Sequence, residues 1–119
     1  MKNFKIFVVA LSLALIGCVQ PSYKRTLLIT LKVKSSEKIT SVGIRGNDKP
    51  FSWDYDYPMQ YDAATGCYTA KAVMTTGYAF TDIKFTVNGA FELQGKDNRR
   101  LLFRDKDTLV YTAEYNVMK

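Results

Sequence analysis

Asp82-Ile83-Lys84-Phe85-Thr86-Val87-Asn88-Gly89-Ala90-Phe91 is the stretch on which the fold turns. Ile83, Phe85 and Val87 alternate with Asp82, Lys84 and Thr86, the two-residue period of a half-buried strand. Asn88-Gly89 follows at once, and both residue types tolerate the positive φ that a two-residue type I′ turn imposes. The stretch predicts a β-hairpin with one apolar face turned inward.

The same period extends outward from this hairpin in both directions. Leu27, Ile29, Leu31 and Val33 alternate with Leu28, Thr30, Lys32 and Lys34; Val42 and Ile44 begin a second run. Tyr68, Ala70, Ala72 and Met74 oppose Thr69, Lys71 and Val73, and Leu109, Tyr111, Ala113 and Tyr115 close the chain. Turn-forming clusters separate these runs: Gly46-Asn47-Asp48-Lys49-Pro50, Asp62-Ala63-Ala64-Thr65-Gly66, Thr76-Gly77 and Gly95-Lys96-Asp97-Asn98. With no sustained helical period after the first residues, the pattern predicts an all-β fold. Its expected form is an immunoglobulin-like antiparallel β-sandwich of about seven strands.

The first residues read differently. Lys2 and Lys5 precede a short apolar run from Ile6 to Ile16, the form of an export signal and too short to span a bilayer comfortably. Leu15-Ile16-Gly17-Cys18 resembles a bacterial lipobox, in which the cysteine becomes lipid-modified and then N-terminal. The expected organisation is a lipoprotein signal peptide over residues 1–17, a lipidated Cys18 with a short tether over 18–25, and a sandwich domain over 26–119. Several acyl chains would hold such a domain at a membrane, where one chain binds only marginally. The protein is thus expected in the bacterial cell envelope, and the lack of an acidic run after Cys18 favours periplasm-facing attachment over the cell surface.

Loss of Lys2 and Lys5, with no acid, lowers the net charge from +6 to +4. That excess is too small for a nucleic-acid partner, and Asp97, Asp105 and Asp107 are interleaved with the densest basic cluster, Arg99, Arg100, Arg104 and Lys106. If Cys18 carries lipid, Cys67 lacks an internal partner, so no disulfide framework is expected. Cys67 reads as a small buried hydrophobe. The chain contains no histidine, which removes Ser-His-Asp and Cys-His catalysis and histidine-ligated zinc. Asp54, Asp56, Asp62, Glu92 and Asp97 remain as carboxylates, but turn capping and solvation account for them better than paired acid–base chemistry. No cofactor or metal is implied, and Asp54 with Asp56 lacks the spacing of a calcium loop.

Aromatic residues carry more. Phe51, Trp53, Tyr55 and Tyr57 crowd one connection between Pro50 and Pro58. A pyranose ring has a C–H-rich face that a flat aromatic can cover, while polar groups bind its hydroxyl rim. A curved glucan chain needs two such rings set at an angle.

Four islands give this reading a family context: Gly43-Ile44-Arg45-Gly46, Ser52-Trp53-Asp54, the hairpin stretch through Glu92, and Asp97-Asn98-Arg99. In order and spacing, from Ser41 to Tyr115, they resemble the starch- and glycogen-binding modules of carbohydrate-binding families 20 and 48. The resemblance implies a carbohydrate-binding site in which Trp53 and Phe91 are stacking rings and Lys84 and Asn98 bond sugar hydroxyls. Phe91 stands where those families usually carry a tryptophan, a smaller ring without an indole N–H. The function expected is a non-catalytic, membrane-tethered glycan-binding module, most readily for an α-glucan polysaccharide or oligosaccharide. The alternative is a sandwich domain that binds a protein partner in a cell-envelope assembly.

Overall fold

The computed structural model describes residues 21–118. The expected signal peptide and Cys18 lie outside them. Nine strands occur in order: β1 (Tyr23–Lys32), β2 (Val42–Gly46), β3 (Tyr57–Pro58), β4 (Gln60–Asp62), β5 (Cys67–Thr76), β6 (Phe80–Val87), β7 (Ala90–Phe91), β8 (Arg99–Leu102) and β9 (Thr108–Glu114). The first sheet runs β4-β5-β1-β9, and the second runs β3-β2-β6-β7 with β8 also paired to β6. The fold is an all-β sandwich.

Two details depart from a purely antiparallel arrangement of about seven strands. β3 and β7 add short two-residue pairings, and β9 lies parallel to β1 with Thr26 opposite Thr108. The parallel pairing follows from the connection. β8 ends in the second sheet opposite Phe80, and residues 103–107 cross to the end where β1 begins, so β9 has to run in the direction of β1.

Alternation fills the space between the sheets as the sequence implies. Leu27, Ile29 and Leu31 from β1 and Ala72 and Met74 from β5 face Ile44, Ile83, Phe85 and Val87. Phe51, Met59, Leu101 and Phe103 join them from loops and short strands. Each large apolar side chain so buried contributes on the order of 1.5–3 kcal/mol. The β6–β7 connection has Asn88 at φ 52° and Gly89 at φ 80°, the left-handed pair that a type I′ turn requires.

The expected tether over 18–25 yields to strand at Tyr23, because Arg25 is already inside the fold, 7% exposed and opposite Met74. Cys67 is free and half-buried at the start of β5, not fully enclosed. Its partner across the strands is Asp62, at the rim of the sheet where the core gives out.

One ion pair lies fully inside. Arg99 Nε is 2.7 Å from Glu92 Oε2 and its Nη2 is 2.8 Å from Oε1, with side-chain exposures of 2% and 0%. Arg99 also donates to the carbonyls of Glu114 and Val117, and Glu92 accepts from the backbone N–H groups of Phe85 and Asn116. Every polar group of the pair is thereby engaged with a neighbour from a different segment, which is what makes its burial tolerable. The cluster fastens the last residues to the second sheet.

Candidate functional site

The outer face of the second sheet is built by three strands and one returning loop. Arg45 on β2 lies opposite Lys84 on β6, and Thr86 on β6 lies opposite Phe91 on β7. Ile83, Phe85 and Val87 point inward, so Lys84, Thr86 and their partners Arg45 and Phe91 point outward. The β2–β3 connection then folds back across this face.

Its path is fixed at both ends. Phe51 inserts into the core at 3% exposure, and Tyr57 packs edge-on against it with ring centroids 5.3 Å apart. The residues between them are left over the outer surface of the sheet. Gly43 makes this possible: a Cβ there would stand 2.6 Å from the Cβ of Asp56, so only glycine lets Asp56 settle onto β2.

Trp53 is half-buried and lies outside the hydrophobic core. Its indole Nε1 donates to Asn47 Oδ1 at 2.5 Å, which fixes the ring plane. Its ring centroid is 6.4 Å from that of Phe91, with the planes inclined by 40°. Arg45 supports both rings. Its guanidinium carbon lies 5.2 Å from the centre of Phe91, and Nη1 donates to the Trp53 carbonyl at 2.7 Å. Asp56 holds Arg45 in turn, accepting from its Nε at 2.7 Å and from the Thr86 hydroxyl at 2.8 Å. Arg45 and Asp56 are structural supports of the ring pair that the aromatic reading missed. The signal was present, since Arg45 follows inward-facing Ile44 and so faces outward.

The other expected contacts are placed differently. Lys84 faces outward on the same row as Arg45, but its ammonium donates to the carbonyls of Leu93 and Lys96, each at 3.0 Å. Two of its three protons thus secure the turn after β7. Asn98 is exposed, immediately before inward-facing Arg99. Arg100 on the other side of Arg99 faces outward, 3.0 Å from Asp82, and this hydrogen bond holds its guanidinium pKa above the ordinary value. Among the remaining carboxylates, Asp62 accepts from Ala64 N and Thr65 Oγ1 in a turn, and Glu92 is enclosed with Arg99.

The ring pair forms a half-buried platform on the outer face of the second sheet. An open cleft of about 760 Å³ lies between Asp48, Pro50, Tyr55 and Val73 and touches neither Trp53 nor Phe91. A shallow platform suits a ligand recognised by stacking, because a sugar face needs a flat ring and not an enclosing pocket. No protein-family model and no curated protein matches the chain.

Proposed function

We propose that this protein is a non-catalytic glycan-binding module, tethered to a bacterial membrane through Cys18 as a lipoprotein, with an α-glucan as its ligand. The observation that supports this most is the Trp53–Phe91 pair, two rings inclined by 40° on the outer face of the second sheet. A helically curved glucan presents successive sugar faces at an angle, so two tilted rings can each cover one residue of the chain. The resemblance to starch- and glycogen-binding modules points to the same two residues.

Affinity is expected in the roughly micromolar to millimolar range, since a shallow site buries little area. Retardation of the mature chain in gels containing glycogen, amylose, cellulose or peptidoglycan identifies the glycan. Trp53→Ala should lower affinity by about 1–3 kcal/mol, the scale of aromatic stacking contacts. Its unfolding curve should stay close to that of the wild type, because Trp53 is outside the core. Equal affinity with lowered stability would make Trp53 a packing residue and end this reading.

A further inference from the structure

Exposed aromatic and apolar side chains gather at one end of the sandwich. Tyr23 opens β1 opposite Thr76, and Phe80 opens β6 opposite Leu102, so the start of β1, the β5–β6 turn and the end of β8 share that end. Tyr78 in the turn is 68% exposed, Tyr23 50% and Leu102 44%. Tyr55 extends the patch at 65% exposure across the cleft it shares with Pro50 and Val73. Tyrosine combines an apolar ring with a polar tip, which suits it to the headgroup level of a bilayer.

Charge at this end has the matching sign. Lys24, Lys49, Arg104 and Lys106 are exposed there, while Asp105 and Asp107 in the loop before β9 and half-buried Asp48 beside Tyr78 reduce the excess. Arg25 adds a cation with no carboxylate partner among the described residues. Its guanidinium lies 5.0 Å from the Tyr23 ring centre and 5.5 Å from that of Phe103, donates to the Lys106 carbonyl at 2.6 Å, and leaves Nε buried and unpaired. Such an uncompensated cation draws anions towards the surface above it.

The chain also enters here. The Pro21 carbonyl lies 2.8 Å from the place a Cβ on Gly77 would occupy, so the first described residues are packed against the β5–β6 turn. Cys18 precedes Pro21 by only three residues, a reach of about 10 Å when extended. The opposite end carries the loops around Ser35, Ser36, Glu37 and Lys38 and around Ala63, Ala64 and Thr65, with Tyr61 and Met118 as its exposed large hydrophobics.

We propose that this end is a membrane-contact face: Tyr23, Tyr55, Tyr78 and Leu102 rest in the headgroup layer of a phospholipid bilayer, with Lys24, Arg104 and Lys106 at lipid phosphates. The inference rests on the lipid-anchored part of the proposed function and is independent of the glycan. It stands the sheets upright on the membrane and turns the Trp53–Phe91 face sideways, with Trp53 nearer the lipid than Phe91.

The test uses the lipidated full chain in vesicles of phosphatidylethanolamine and phosphatidylglycerol. A polarity-sensitive fluorophore is placed at Tyr78→Cys, at Lys24→Cys or at Ala64→Cys, each with Cys67→Ser. Labels at 78 and 24 should be several-fold brighter than the label at 64 and several-fold slower to be reduced by aqueous dithionite. Charge reversal of Lys24, Arg104 and Lys106 to Glu, with the label at 78, should abolish the shielding on these vesicles. Shielding that survives reversal overturns the phosphate contacts. Equal shielding at all positions, or shielding at 64 alone, overturns the face assignment. Flotation with the vesicles is scored separately, and a chain that does not float overturns the anchor together with this face while leaving the glycan site standing.

Discussion

Arg99 and Arg45 are set up alike and do different work. Each lies 2.7 Å from a carboxylate oxygen, Glu92 for one and Asp56 for the other, and each places its guanidinium about as far from a phenylalanine ring, 5.4 Å from Phe85 and 5.2 Å from Phe91. They differ in side-chain exposure, 2% for Arg99 against 16% for Arg45. Arg99 meets both carboxylate oxygens and two carbonyls of the C-terminal segment, so it ties the fold together. Arg45 meets one carboxylate oxygen and the Trp53 carbonyl, so it positions two half-buried rings at the outer surface.

The largest expected effect lies on the interior side of this comparison. Burial by itself would lower the Arg99 pKa, but hydrogen bonds to Glu92 and Tyr111 raise it above the ordinary value, so the cation persists at any usable pH. Removing one partner leaves an uncompensated buried charge. Glu92→Leu or Arg99→Met should therefore cost about 3–5 kcal/mol in urea unfolding, while the two combined should cost clearly less than the single losses added. Additive losses would mean that the pair is not a unit.

Most of the fold was legible because its strands carry a strict two-residue period against one buried face, as in Leu27, Ile29 and Leu31 or Ile83, Phe85 and Val87. Asn88-Gly89 was legible for a local reason, the positive φ of its turn. The rest depended on contacts far apart in sequence. Asn88 Oδ1 also accepts from Thr40 N and Ser41 N, roles that no turn rule contains. The burial of Glu92 beside outward-facing Phe91 required Arg99 to enter from another strand, and charged residues are ordinarily read as solvated. Within the candidate site, Trp53 stood out in an aromatic cluster on a connecting segment, whereas Phe91 was reached through the family resemblance, since its alternation with Leu93 fits a buried position equally well. The engagement of Lys84 by the Leu93 and Lys96 carbonyls was not legible, because it depends on where a later turn happens to fold.

A smaller effect is expected on the surface side. Arg45→Ala removes a partly exposed ion pair, so unfolding should shift by no more than about 1 kcal/mol. Glycan affinity should fall several-fold, because Trp53 and Phe91 lose the group that fixes their mutual tilt. Arg45→Lys keeps the charge but not the forked donors that reach Asp56 and the Trp53 carbonyl together, so it should restore stability more fully than affinity. Matching losses of both would make Arg45 a second structural arginine and erase the contrast with Arg99.

The smallest effect probes how far the interior charge reaches. Tyr115 donates to the Ala90 carbonyl at 2.8 Å, and its phenol pKa is raised from 10.0, first by burial and then by the negative charge of Glu92. A raised pKa means that the folded chain holds this proton more tightly than the unfolded chain. The associated stability is complete below about pH 10 and is lost as pH rises through the folded value. Unfolding measured from pH 8 upward should therefore decline less steeply in Tyr115→Phe than in the wild type. Glu92→Gln should shrink the same alkaline slope, whereas Asp56→Asn should leave it unchanged, since only the interior carboxylate raises the Tyr115 pKa. A slope that responds to Asp56 and not to Glu92 would show that the two arginine sites are coupled through the sheet and cannot be treated as separate regions.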